Sequence, residues 1–245
     1  MLKKFFILLT RNVIELHLTV FSGPPSSGKT SVILKVIQYL QEKGIKPGVV
    51  KFDCLYTDDD ILYEKAGVQV KKGLSGALCP DHFFAANIQE VLEWGMGKAF
   101  DLLITESAGL CNRCSPYITD VKGVCVIDNL SGVNTPKKIG PMLKAADIAV
   151  ITKGDIVSQA EREVFAAKVA AVNPQAITMH VNGLTGHGAR ELGSLLLDSA
   201  DIESVTGRQL RFAMPAALCS YCLGETRLGK EYQLGNIRKM NFGGE

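Results

Sequence analysis

Leu16-His17-Leu18-Thr19-Val20-Phe21-Ser22-Gly23-Pro24-Pro25-Ser26-Ser27-Gly28-Lys29-Thr30-Ser31 is the stretch on which the reading of this chain turns. An apolar, β-rich run leads into Gly-x-x-x-x-Gly-Lys-Thr, and a helical pattern follows to about residue 43. A strand, a glycine loop and a helix in that order make a complete phosphate-binding loop. Gly23 and Gly28 allow backbone conformations and close approaches that a side chain would obstruct. The loop amides around Gly23, Ser26, Ser27 and Gly28 are expected to surround a β-phosphate at the helix N-terminus, where the dipole favours an anion. Lys29 should reach the β- and γ-phosphates, the Thr30 hydroxyl should ligate Mg²⁺, and Ser31 beside it belongs with the nucleotide-binding residues.

Working outward, apolar β-rich stretches alternate with helical patterns, as in βαβ units with a parallel sheet covered on both faces. Strands are expected near 14–22, 47–53, 100–106, 122–128, 147–152 and 176–181. Helices are expected near 28–43, 58–66, 81–96, 136–145, 157–172 and 186–198. The alternation stops at about 200, and a glycine-punctuated stretch over 227–242 reads as hairpin-like. These patterns divide the chain into an N-terminal extension (1–13), a nucleotide-binding domain (14–200) and a C-terminal appendage (201–245).

Further candidates stand at the carboxyl ends of the expected strands, where open α/β sheets bind ligands. Glu106 ends one strand and could hold the Mg²⁺ shell or orient an attacking water, while Gly109 leaves a backbone N–H room to meet the γ-phosphate. Asp53 ends another and could join the Mg²⁺ shell, whereas Asp58-Asp59-Asp60 reads as a helix cap that favours the dipole. Thr152-Lys153-Gly154-Asp155 follows a strand and is a form of the [Asn/Thr]-Lys-x-Asp base-recognition pattern. Asp155 can accept from guanine N1–H and the 2-amino group, and the Lys153 stem can pack on the purine face. The loop 182–188 either completes the base pocket or simply turns into the next helix.

Composition excludes several classes. Lys plus Arg number 27 against 25 Asp plus Glu, a net charge of +2, so no strong field draws the chain to nucleic acid or anionic lipid. No segment reaches the roughly 18 to 20 apolar residues of a membrane span, and a cytoplasmic protein is expected. Seven cysteines in such a protein argue for metal or redox chemistry, because four of them form two Cys-x-x-Cys pairs. Cys111 and Cys114 start two residues after Gly109 and could supply half of a tetrahedral zinc site or half of an iron–sulfur cluster such as [4Fe-4S]. The other half could come from a second subunit or from Cys219 and Cys222, which could instead form a separate zinc half-site or redox pair. Cys54 and Cys125 fall in strand positions and read as core, as do His17 and His180.

Taken together, the phosphate loop, Glu106-Ser107-Ala108-Gly109-Leu110, Val126-Ile127-Asp128, Pro136-Lys137-Lys138 and Ala146-Asp147-Ile148 before Thr152-Lys153-Gly154-Asp155 resemble the HypB/UreG group of SIMIBI-class P-loop GTPases, which insert nickel during hydrogenase and urease maturation. The resemblance runs from about Leu16 to Leu197. It implies a three-layer fold with a mainly parallel sheet between helices, a GTP/GDP site with Mg²⁺, and a GTP-favoured homodimer. It also implies cargo metal, Ni²⁺ or Zn²⁺, on cysteine and histidine at the subunit interface. Lys29, Thr30, Asp53, Glu106 and Asp155 match positions that serve phosphate, Mg²⁺, water and guanine in the family. Cys79-Pro80-Asp81-His82 matches a Cys-Pro-His group with one extra residue, making Cys79 and His82 candidate ligands. Thr152 stands where Asn is commoner, and Pro24-Pro25 replaces a second lysine found in the wider class. A GTPase metallochaperone serving a client apo-metalloenzyme or another maturation factor is the expected function. The alternatives are a reductive activator carrying an iron–sulfur cluster and a small-molecule kinase.

Overall fold

The computed structural model describes residues 16–109, 115–211 and 223–242. Seven parallel strands form one sheet in the order β3-β2-β4-β1-β5-β6-β7. The strands are β1 (His17–Ser22), β2 (Pro47–Asp53), β3 (Gln69–Leu74), β4 (Leu102–Glu106), β5 (Lys122–Asp128), β6 (Ile148–Thr152) and β7 (Ile177–His180). The helices are α1 (Lys29–Glu42), α2 (Asp59–Lys65), α3 (Pro80–Gly97), α4 (Thr135–Lys138), α5 (Gly140–Lys144), α6 (Gln159–Val172) and α7 (Ala189–Leu197). Helices on both faces complete the three-layer α/β architecture expected from the alternation.

Strand periodicity assigns each side chain to a layer. Leu18 and Val20 of β1, Leu103 of β4, Cys125 and Ile127 of β5 and Ala149 and Ile151 of β6 share one core with Phe83 and Ile88 of α3 and Phe165 and Val169 of α6. Phe21, Leu102, Ile104, Val124, Val126, Ile148 and Val150 face the other way, onto α1, α7 and Tyr63 of α2. Each of the larger apolar side chains buried here contributes roughly 1.5–3 kcal/mol. Central strands of this kind read as continuous apolar runs because both their faces are covered.

Three expectations need correction. The sheet has a strand, β3, between the helices near 58–66 and 81–96. Gln69-Val70-Lys71-Lys72-Gly73-Leu74 lacks the apolar pattern because it is an edge strand with much of its length exposed. The helix expected over 136–145 is two short helices, with Ile139 and Gly140 (φ 25°) at their junction and Pro141 at the start of the second. The stretch 227–242 is no hairpin: its order comes from a single antiparallel bridge between Gln209 and Arg227, a 3₁₀ turn at Lys230–Tyr232 and packing on α3. Asn87 of α3 donates to the Arg238 carbonyl at 2.9 Å and accepts from Met240 N–H at 2.7 Å.

Beyond residue 200, Val205, Leu210 and Leu228 lie buried in the α3-side core. Arg211 fastens this region to the sheet. Its Nη1 and Nη2 form a bidentate pair with Asp147 at 2.8 and 2.9 Å, and it donates to the carbonyls of Ile118, Val121 and Ala145. Arg211→Ala removes the charged bonds to Asp147 and the donors to three carbonyls, and is expected to cost about 2 kcal/mol, read as a lower urea midpoint with an unchanged slope.

Candidate functional site

Gly23 leaves β1 with φ 144°, and a Cβ there would lie 2.0 Å from the Val126 carbonyl oxygen of β5. Gly109 has φ 70°, and its Cβ would fall 1.6 Å from the Gly23 carbonyl oxygen and 3.5 Å from Lys29 Nζ. Only glycine fits either position, so the loop after β4 rests directly on the phosphate loop. Gly28 caps α1 in a left-handed conformation and no side chain caps that helix, leaving its first-turn N–H groups turned toward the loop. Lys29 Nζ donates to the Gly23 and Pro24 carbonyls at 3.0 and 2.9 Å. Burial, with a smaller push from Lys51 and partial compensation by Glu106, lowers its pKa to about 8.

A charged cluster adjoins it. Thr30 Oγ1 is 2.8 Å from Glu106 Oε1 and 3.2 Å from Asp59 Oδ2. Lys51 Nζ is 2.8 Å from that same Glu106 oxygen and 2.7 Å from that same Asp59 oxygen. Tyr63 donates to the second Glu106 oxygen, Oε2, at 2.6 Å. Glu106 is almost wholly buried, and its neighbours Lys51 and Tyr63 are buried with it. Burial alone would lower the Lys51 pKa, but Glu106 and Asp59 outweigh it and the net shift is upward. Asp59 is held below the usual carboxylate range by Lys51 against the opposing effect of burial.

This arrangement reorders the acidic candidates. Asp53 turns Oδ1 back to the Cys54 N–H at 2.8 Å and stands 3.9 Å from Lys51, so it borders the cluster. Asp59 makes the contact with Thr30. The triplet at 58–60 is not primarily a cap: Asp58 occupies the N-cap position without a side-chain cap bond, while Asp59 and Asp60 pair with Lys51 and Lys72. Lys51, Asp59 and Tyr63 are the cluster members that the sequence reading passed over. Lys51 did carry a signal, a lone charge inside the apolar run Val49-Val50-Lys51-Phe52 of a buried strand.

On the opposite side of the phosphate loop, Thr152 Oγ1 donates to the Ser27 carbonyl at 2.6 Å, and Lys153 Nζ donates to the Ser26 carbonyl at 2.7 Å. Lys153 takes a left-handed φ of 56°, a conformation uncommon for a side-chain-bearing residue. Asp155 is exposed beside it. In the loop 182–188, Asn182 Oδ1 accepts from the N–H groups of Leu184 and Thr185. Gly183 packs on Ser31, where a Cβ would meet the Ser31 Cβ at 2.8 Å. That loop therefore lies against the first turn of α1.

The thiol and imidazole candidates gather only in part. Cys79 is the N-cap of α3, with Pro80 following it. His82 is buried, and its Nε2 lies 3.0 Å from the Asn236 carbonyl oxygen. Asp81, buried between them, accepts from Ser107 Oγ at 3.1 Å, and Ser107 in turn accepts weakly from the Gly109 N–H. Cys111, Cys114, Cys219 and Cys222 lie outside the described residues. Among the described residues no three His, Cys, Asp or Glu side chains are grouped so as to hold a metal ion. Cys54 is not core: it follows β2 and is half-buried. Cys125 is core, with burial pushing its thiol up to about 12. His180 is exposed on β7, at the sheet edge, and His17 is only partly buried, with Nδ1 3.4 Å from Ser199 Oγ.

Comparison with known proteins gives this geometry its context. A family model described as CobW/HypB/UreG, nucleotide-binding domain, matches residues 17–180. The chain is 48% identical to the uncharacterized protein MJ0120 of Methanocaldococcus jannaschii, over 92% of this chain and 97% of that one. It is 31% identical to urease accessory protein UreG 2 of Methylorubrum populi, over 77% of this chain and 94% of that protein. HypB from Helicobacter pylori in complex with nickel superposes with a TM-score of 0.61 at 19% identity, covering 82% of this chain and 95% of that structure. Hydrogenase maturation factor HypB from Archaeoglobus fulgidus gives 0.59 at 22% identity, covering 75% and 89%. The structural likeness carries the fold, the sequence match carries the kinship, and by both the chain belongs to the CobW/HypB/UreG family as a P-loop nucleoside-triphosphatase.

Proposed function

We propose that this protein is a GTP-hydrolysing metallochaperone, a cytoplasmic homodimer in its GTP state that delivers a transition metal, nickel foremost, to a client apo-metalloenzyme or another maturation factor. The observation that carries the reading is the seat of Gly109 on Gly23, within reach of Lys29. A loop in that position feels the γ-phosphate, and the chain runs on from it toward Cys111 and Cys114. Sequence similarity to a urease accessory protein and a fold shared with a nickel-complexed HypB support nickel as cargo.

The site's chemistry suits GTP with magnesium. Thr30, Glu106 and Asp59 offer only oxygen donors, which fit a hard cation; Mg²⁺ held there would neutralise charge on the β- and γ-phosphates. Lys29 would exchange its two loop carbonyls for phosphate oxygens, and the Gly109 N–H would meet the γ-phosphate. Glu106, anchored by Tyr63, would orient the attacking water. Lys153 and Asp155 would hold the guanine, with Thr152 tying that strand end to the phosphate loop. Cys79 and His82, with Cys111 and Cys114, would bind the cargo, and Cys219 and Cys222 would add thiolates from the tail.

Three measurements test this reading. Asp155→Asn should remove the preference for GTP over ATP by at least about tenfold while leaving the fold intact; retained guanine selectivity in competition binding overturns the base assignment. Lys29 sits near pKa 8, and a bound triphosphate raises it again by favouring the charged form. GTP affinity should therefore fall as pH rises above about 8, with proton uptake on binding, measurable by calorimetry in buffers of different ionisation enthalpy. Finally, anaerobic metal titration should give different nickel affinities with GDP and with a non-hydrolysable GTP analogue, and equal affinities sink the coupling.

A further inference from the structure

β2 and β4 are adjacent and parallel, and their register places Lys51 opposite Glu106. Lys51 continues the face of Val49, and Glu106 continues the face of Leu102 and Ile104, so both side chains point toward α1 and α2. Lys51 Nζ then lies 2.8 Å from Glu106 Oε1 and 2.7 Å from Asp59 Oδ2. These two oxygens are also the ones within hydrogen-bond reach of Thr30 Oγ1, at 2.8 and 3.2 Å. A lysine side chain only 5% exposed thus bridges both carboxylates that face the phosphate-loop threonine. Tyr63 occupies the other Glu106 oxygen at 2.6 Å, which leaves Oε1 as the Glu106 oxygen that Lys51 and Thr30 share.

From this juxtaposition we propose that Lys51 is a positioning residue, a built-in cation that holds Asp59 and Glu106 in place and keeps divalent metal from settling on them until nucleotide arrives. Two carboxylates converging on one hydroxyl repel each other, and an ammonium between them removes that repulsion without a metal. The same ammonium repels a dication at the same oxygens. Triphosphate adds the negative charge that tips the balance, so cation and nucleotide enter together. A site so arranged binds free divalent metal only weakly, which matters in a protein whose thiols are read as carrying a divalent cargo. This inference rests on the magnesium–nucleotide reading of Thr30 and Glu106.

The test measures Mn²⁺ by electron paramagnetic resonance in the full-length protein, without nucleotide and with GTP, each GTP sample read against GTP and Mn²⁺ without protein so that only protein-bound metal is counted. Wild type should bind Mn²⁺ weakly alone and tightly with GTP. In Lys51→Met the carboxylates lose their cation, and Mn²⁺ affinity without nucleotide should rise at least roughly tenfold, since one unit charge a few ångströms away outweighs that factor even when screened. Lys51→Arg keeps the charge and should stay weak. Lys51→Gln, one bond shorter but polar and neutral, should follow the Met variant and serves if Met disturbs the buried strand. Lys72→Met removes the neighbouring pair with Asp60 and should change nothing. Equal nucleotide-free affinity in wild type and the neutral variants overturns the proposal. Failure of wild type to bind Mn²⁺ even with GTP overturns instead the nucleotide reading on which it rests.

Discussion

The backbone of Gly109 lies against the carbonyl of Gly23 more closely than any side chain permits, and the rest of the site is arranged around that contact. It requires β4 beside β1, because Ser107 N–H bonds the Phe21 carbonyl and carries the strand pairing into the loop. It requires positive φ at both glycines. It also brings Lys29 within reach of both loops. A change at one loop is therefore felt at the other by direct contact, with no intervening chain of residues.

Burial gives the charges near this contact their leverage. Lys29, Lys51 and Glu106 are each less than a tenth exposed, so their interactions are screened less than surface pairs are. Two ammonium groups and a buried carboxylate in one layer would be costly if any lacked a partner. Each has partners: loop carbonyls for Lys29, two carboxylates for Lys51, and Tyr63, Thr30 and Lys51 for Glu106. Of the two ammonium groups, Lys29 is satisfied by neutral groups, and burial lowers its pKa while that of Lys51 rises. That leaves Lys29 in a state an arriving phosphate improves.

Helix α3 links the nucleotide loop to the tail. Its first turn receives Ser107 on Asp81, and its length is gripped by the segment 233–242 through His82, Ala86, Asn87 and Glu90. Met240 and Phe242 pack against the same core as Trp94. Cys79 and His82 thus stand where the loop after β4 and the tail both bear on one helix end.

Much of this was legible in the chain alone. The phosphate loop identifies itself because its glycines, lysine and threonine act through local backbone geometry, and the alternation of apolar and helical segments gives the parallel sheet because buried strands have no polar face to show. Edge strand β3 escaped, since exposure removes the apolar pattern a strand is read by. What only the tertiary structure decided is which acid meets Thr30. Three consecutive aspartates at 58–60 are equivalent in sequence, and the start of α2 over the sheet turns just one toward Lys51 and Thr30. Lys51 shows in the sequence only as a lone charge within an apolar strand. Its meaning comes from a register that sets it opposite Glu106, 55 positions along the chain, and register between strands so far apart is fixed by packing, not by local sequence.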